Sequence, residues 1–344
     1  MAKRGRKKKK GNTISRFLFF IVFIALILGL CYYLLGIKRI QDMFIPKEEN
    51  IKIIDVNSNE RPIGIVINNA SPVWNYQSGL NSAYIVYEML AEGGITRELA
   101  IFKGKNPQKV ASVRSARHYF LDYALENDAV FVHWGYSPQA KTDMNTLGIN
   151  HIDGLTYENR YFFRDRNLNI ASEHTGYTTI SDIKKAIKDL DFKDTTNTKP
   201  VLDYSVNDVM DEEYEDANRV KIPFSNSYTA SFVYNEDDKL YSKYQNDTLM
   251  KDYTTGETIK TKNIIILFVT YQGIYQDEKG RLNMQNIGTG DGKYISNGKV
   301  VDITWEKSYR GDTTVYYLDN KKLSVNDGNT YIEFMPSDEE LIIE

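Results

Sequence analysis

The chain has little of what usually announces chemistry. Its 344 residues include one cysteine, four histidines and eight prolines. The cysteine, Cys31, sits inside an apolar run, so everything beyond it lacks thiols. That excludes disulfide staples, a cysteine nucleophile and thiolate zinc sites in the main body. The histidines, His118, His133, His151 and His174, are widely separated, and neither H-E-x-x-H nor an EF-hand pattern occurs. His151-Ile152-Asp153 and Glu173-His174 offer single ligands at best, so no metal and no cofactor is expected. A G-x-S-x-G nucleophile elbow is also missing. Gly288-Thr289-Gly290-Asp291-Gly292 has the look of a phosphate loop, but strand-like residues follow it where a helix is needed, so it reads as a β-turn.

Acidic residues are absent from the first 36 positions, which carry Lys3, Arg4, Arg6, Lys7, Lys8, Lys9, Lys10 and Arg16. Directly after them, Phe17 to Leu35 reads FLFFIVFIALILGLCYYLL, with no charge and no proline. As a helix this run spans about 28 Å, close to the hydrocarbon thickness of a bilayer. The basic excess before it places the N-terminus in the cytoplasm and the remainder outside. A cleaved signal is disfavoured, because the run is long and exits through Tyr32-Tyr33 without a small-x-small pair. Lipidation of Cys31 would need a small residue before it, and Leu30 is bulky.

The whole chain sums to −3; without the eight basic residues of the tail the rest sums to −3 − 8 = −11. An acidic exported body argues against nucleic acid. Six segments are expected: a cytoplasmic tail at 1–16, a single transmembrane anchor at 17–36, a stalk at 37–60, a mixed α/β domain at 61–192, a linker at 193–222 and a β-rich domain at 223–338. In the first domain, 62–68 reads as a doubly covered strand, 82–91 as a helix, 96–103 as a strand, 114–126 as a helix capped by Ser112, and 128–134 as a buried strand. Ser181 to Leu190 reads as an amphipathic helix. After Pro223, runs rich in Val, Ile, Tyr, Phe and Thr at 231–234, 239–244, 263–270, 300–307, 314–318 and 330–335 read as strands. The 25 tyrosines read chiefly as strand filler.

The densest polar content of the first domain falls at strand ends, where α/β sheets collect ligands. Arg114 and Arg117 are expected at a helix N-terminus, where the dipole opposes them unless an anion balances them. A ligand could supply that anion; Glu88 or Glu92 could do so as an internal salt bridge. The candidate site is therefore an anion-accepting cleft of Glu88, Glu92, Thr96, Arg97, Arg114, Ser115, Arg117, His133 and Ser137. The leading expectation is a membrane-anchored envelope module that binds a cell-wall component or an envelope protein. The alternative is a cell-wall-directed hydrolase or transferase, with Glu92 as acid/base, His133 as proton shuttle and Ser115 or Ser137 as nucleophile.

At these residues the chain resembles the YerB-like proteins, an exported bacterial family largely without assigned function. The resemblance runs through RPIGIVINN at 61–69, QSGL at 77–80, YIVYEMLAEGGITRELAIF at 84–102, SVRSARHYFLDYALENDAVFVHWG at 112–135 and SPQA at 137–140. It resumes with NIGTGDGKYISNGKVVDITWEKS at 286–308 and NDGNTYIEFMP at 326–336. It implies a mixed N-terminal domain, a smaller β-rich C-terminal domain, and attachment to the outer membrane face, often by a lipid. It supplies no established catalytic residues.

Overall fold

The computed structural model describes residues 18–30, 32–33, 51–210 and 213–344. Two compact units are present, Met1–Asn50 and Ile51–Glu344. In the first, residues 18–30 and 32–33 are helical with exposed side chains. Phe17, Cys31, Leu34 and Leu35, the basic tail and stalk residues 37–50 lie outside the described residues. Among the described residues no helix is long and apolar enough to cross a membrane.

The body at 51–344 is organised by a thirteen-stranded mixed sheet. Its main path runs Lys321–Lys322, Val315–Leu318, Lys299–Lys307, Gly288–Ser296, Asn263–Gly273, Thr330–Pro336, Ile85–Leu90, Thr96–Phe102, Ile63–Asn68, Val130–His133 and His151–Asp153. Thr330–Pro336 pairs parallel with both Asn263–Gly273 and Ile85–Leu90. The two sequence segments therefore share one sheet. Every residue of Ile63–Asn68, Ile85–Leu90, Thr96–Phe102 and Thr330–Pro336 is buried, the mark of strands covered on both faces.

One cover is a six-stranded sheet that includes Leu240–Gln245, Tyr228–Asn235 and Arg219–Ser225. Its Ile222, Phe224, Phe232 and Tyr241 pack in one cluster with Ile65, Ile67, Val86 and Ile266 of the large sheet. The amphipathic helix Ile180–Asp189, capped by Thr179, adds Ile183, Ala186 and Ile187 to that cluster. On the opposite face Tyr119, Phe120, Tyr123 and Met144 join Tyr87, Met89, Leu99 and Phe334. Phe120 and Tyr123 come from the helix Phe120–Glu126, and Met144 comes from the helix Pro138–Leu147.

Several local expectations are corrected. Residues 82–91 are not helical; Ile85–Leu90 is a strand. A fully covered strand carries apolar residues on both faces, so helical spacing occurs inside it by default. The helix expected at 114–126 forms only at Phe120–Glu126. Residues 113–119 instead run along strand ends, where Arg114 N donates to Val66 O at 2.9 Å and Ala116 N to Gly135 O at 2.9 Å. Ser112 caps nothing; its hydroxyl donates to His174 O at 2.7 Å. The stalk expected at 37–60 ends earlier: Ile54 is buried, and the amides of Lys52 and Ile53 donate to the Asp327 carboxylate. The linker expected at 193–222 contributes Asp203–Ser205, which pairs with Ser324–Asn326, and Glu215–Asp216, which pairs with Lys299–Lys307. The glycines of 288–292 belong to the strand Gly288–Ser296. There a Cβ on Gly292 would stand 2.4 Å from Ile266 O, and one on Gly290 would stand 2.7 Å from the Trp305 ring.

Candidate functional site

The nine candidate residues separate into three groups. Glu88 and Thr96 belong to a buried polar row between the two sheets. Cross-strand register sets Glu88 opposite Glu98 on one side and opposite Glu333 on the other. The three glutamates therefore share one row on one face, flanked by Ile67 and Ile266. Lys243, from the opposing sheet, reaches Glu88 Oε2 at 2.5 Å and Glu98 Oε1 at 2.6 Å, and all four residues are buried. Glu88 Oε1 also accepts from Asn69 at 2.9 Å, Thr96 at 2.6 Å and Tyr228 at 2.6 Å. Burial pushes Glu98 up to about 7, with Lys243 pulling against it and Glu88 adding to it. Burial and then the Glu88 charge push Glu333 well above the ordinary carboxylate range. Among the described residues neither Glu333 oxygen has a hydrogen-bond partner. Burial opposes the Lys243 charge, but Glu88 and Glu98 outweigh it and raise the ammonium above its usual value.

The second group is built on Glu92. It sits in the Glu92–Gly94 turn, where Gly93 and Gly94 take positive φ of 74° and 72°. Arg97 Nη2 donates to Glu92 Oε1 at 3.0 Å and Arg117 Nε to Oε2 at 2.8 Å; Arg117 Nη2 also bonds Oε1. Burial alone would raise this carboxyl, but the Arg117 hydrogen bond and both guanidinium charges outweigh it and hold Glu92 at about 2. Arg97 is 4% exposed; burial first, then the Arg117 charge, lower it to about 9. Its Nη1 donates to Ser115 O at 2.6 Å, while its Nε meets no acceptor among the described residues. Two guanidiniums thus face one carboxylate. Arg114 pairs instead with Glu173, through Nη2 to Oε1 at 3.1 Å and Nη1 to the carbonyl at 2.8 Å. The Glu173 side chain is 62% exposed. Neither arginine stands at a helix N-terminus, so the dipole argument for a balancing anion does not apply to them.

The third group is structural in its hydrogen bonding. Ser115 Oγ donates to Trp134 O at 2.9 Å. Ser137 caps the helix Pro138–Leu147 by accepting from Ala140 N at 3.1 Å, with Pro138 in the first turn. His133 is buried, with Nδ1 2.9 Å from Gly135 O and Nε2 3.0 Å from His151 Nδ1. Burial lowers it to about 4, so it is neutral near pH 7. Among the described residues no three His, Cys, Asp or Glu side chains form a metal-sized cluster.

Sequence reasoning missed Lys243, Glu98 and Glu333. A signal was present: Glu88, Glu98 and Glu333 are lone acids in YIVYEML, TRELAIF and TYIEFMP. Such a charge in a doubly covered strand needs a buried partner.

Two profiles described as protein of unknown function (DUF3048) match the chain, the N-terminal domain over residues 51–193 and the C-terminal domain over 220–332. A Bacillus subtilis (strain 168) protein named "Putative lipoprotein YerB" is 33% identical over 282 residues, 81% of this chain and 82% of that protein. The crystal structure of YerB protein from Bacillus subtilis superposes with a TM-score of 0.74 at 30% identity, covering 83% of this chain and 94% of the other. Sequence, profile and fold agree, and the chain belongs to the two-segment, YerB-like DUF3048 family.

Proposed function

We propose that this is an extracytoplasmic envelope protein, held at the membrane through its N-terminal apolar segment, whose body binds a carboxylate-bearing cell-wall component. The word lipoprotein in the relative's name supports membrane attachment. The apolar run at 17–35 favours a single-pass helix with the N-terminus in the cytoplasm.

The observation that carries the binding reading is the excess of guanidinium around Glu92. Arg97 and Arg117 share one carboxylate, and among the described residues the exposed Glu173 is the acidic partner of Arg114. A surface pair of this kind is worth roughly 0–1 kcal/mol and exchanges readily for another carboxylate. Arginine's planar fork suits a carboxylate presented bidentately. The same geometry weighs against Glu92 as acid/base, since a carboxyl held at about 2 does not carry a proton near neutrality.

Pelleting the full chain, in neutral detergent, with purified wall sacculi tests this. Arg114→Ala should weaken binding about tenfold without lowering the melting temperature, and Glu173→Gln should strengthen it by freeing Arg114. Soluble wall fragments that disappear with Glu92→Gln would overturn the reading, as would binding indifferent to both surface substitutions.

A further inference from the structure

A second charged feature lies outside the arginine group. A cavity of about 460 Å³ opens where several turns meet, and its lining includes Lys52, Lys239, Lys262, Asp208, Asn297 and Asp327. A neighbouring cavity of about 490 Å³ shares Ile53, Leu240 and Asn329 with it. The second cavity adds Asn81, Glu257, Thr258 and Lys260, so its walls are also mostly polar.

Lys262 is fixed there by its surroundings. Its amide donates to Asn329 O at 3.2 Å and to Asn329 Oδ1 at 3.1 Å. A Cβ on Gly328 would stand 2.3 Å from Lys262 Cβ, so the glycine clears the space the lysine stem occupies. The ammonium then meets neutral oxygens, Lys239 O at 3.3 Å and Asn297 Oδ1. The two carboxylates of the rim accept hydrogen bonds from amide N–H groups. Asp327 accepts from the amides of Lys52 and Ile53 at 2.8 and 3.0 Å. Asp208 accepts from Met210 N at 3.1 Å, from Asn326 Nδ2 at 3.2 Å and from Asn297 Nδ2. Among the described residues none of the three lysines forms an ion pair. Burial lowers Lys262; the Asp208 charge opposes it, and the neighbouring Lys239 charge is the smallest of the three effects. Three lysines line the cavity against two aspartates, a local excess of positive charge that an anion would balance.

We propose that this cavity binds a phosphate ester group, with Lys239 and Lys262 as its direct donors and Lys52 completing the cradle. Lysine ammoniums bind phosphate as point charges with three donors each, so several of them converging on one cavity suit a phosphoryl group and its free oxygens. The body that carries this patch is acidic, at −11 beyond the tail, so its attraction for anions is local rather than a general property of the surface.

The test is calorimetric titration of the full chain in neutral detergent micelles. One arm uses glycerol 3-phosphate as the free ester; the other uses dihexanoyl phosphatidylglycerol as the lipid form. Saturable one-to-one binding is expected, with Lys262→Gln and Lys239→Gln each weakening it about tenfold and Lys221→Gln leaving it unchanged. Binding in both arms assigns a free phosphate ester, and binding in the second arm alone assigns a lipid headgroup. Should Lys262→Gln fail to fold, Lys239→Gln and the ester-dependent rise in the wild-type melting temperature carry the test. Absence of binding in both arms, or binding that Lys239→Gln leaves intact, would overturn the proposal.

Discussion

Replacing Lys243 by methionine probes the polar row that joins the two sheets. The substitution keeps the length of the side chain and removes the cation shared by Glu88 and Glu98. Glu98 already stands at about 7 with the lysine present, and Glu333 well above its ordinary range. Without the lysine, the folded variant must hold at least one extra proton in the row at neutral pH. A group that binds its proton more tightly when folded contributes stability at low pH and loses it as pH rises through the folded pKa. For one proton the slope is about 1.4 kcal/mol per pH unit, so the variant's deficit should grow by about 3 kcal/mol between pH 5.5 and 7.5. Lost charge-assisted hydrogen bonds add roughly 1–2 kcal/mol at any pH. The total near pH 7.5 is then about 4–5 kcal/mol, in line with the removal of one partner from a buried ion pair. Urea unfolding followed by tryptophan fluorescence at the two pH values measures it, since Trp134 and Trp305 are buried. A deficit equal at both pH values would refute the reasoning, because the carboxyls would then be neutral even beside the lysine.

Glu92→Gln should show the opposite pH signature. Glu92 is held at about 2 against an ordinary 4.5, so its contribution is present above about 4.5 and is lost as pH falls toward 2; acid unfolding curves of the variant should be flatter across that window. The indole of Trp134 lies against two glycines, and a Cβ on Gly154 or Gly176 would stand 2.5 or 2.7 Å from it. Gly154→Ala and Gly176→Ala should each cost about 1–3 kcal/mol and shift the tryptophan emission, whereas Gly104→Ala, which meets no neighbour, should leave the emission unchanged. His133→Phe should remove part of the stability loss expected as pH falls from about 6.5 to 4, the range in which the wild-type imidazole stays neutral when folded and charges when unfolded.

The strands were legible in two patterns: continuous apolar runs where the sheet is doubly covered, at Pro62 to Asn68, Thr96 to Lys103 and Asp128 to Trp134, and alternating runs after Pro223 such as Leu240–Gln245 and Lys299–Lys307, where one face is more exposed. The helix at Ile180–Asp189 was equally plain, because only one of its faces is apolar. Ile85–Leu90 misled because Ala83, Val86, Tyr87 and Leu90 satisfy a helical period that a fully buried strand satisfies as well. The helix Pro138–Leu147 was missed although Ser137-Pro138 is a cap followed by an N1 proline; reading Ser137 for its hydroxyl chemistry hid its local role. Among the site residues, the local triad of Glu92, Arg97 and Arg117 could be inferred as an internal pairing. Lys243 lies 155 positions from Glu88, and pairing at that range depends on how two sheets are stacked, which no local pattern encodes.

That stacking explains why two sequence segments behave as one body. Glu88 and Glu98 come from the N-terminal segment, Lys243 and Glu333 from the C-terminal one, and they meet only when Thr330–Pro336 lies between Ile85–Leu90 and Asn263–Gly273 in the observed register. A slip of one residue would turn Glu333 to the opposite face, where Phe334 now packs 4.7 Å from the Tyr123 ring. It would also turn Phe334 toward the Lys243 ammonium. Both errors are costly, so the polar row contributes register more than net stability. The consequence reaches the surface. Arg97 is the next residue to Glu98, and Glu92 lies two beyond the end of Ile85–Leu90, so the register that seats Lys243 also brings Glu92 to Arg97. The buried row and the Glu92 group therefore lie on the same pair of strands, Ile85–Leu90 and Thr96–Phe102, and a slip between those two strands would disturb both.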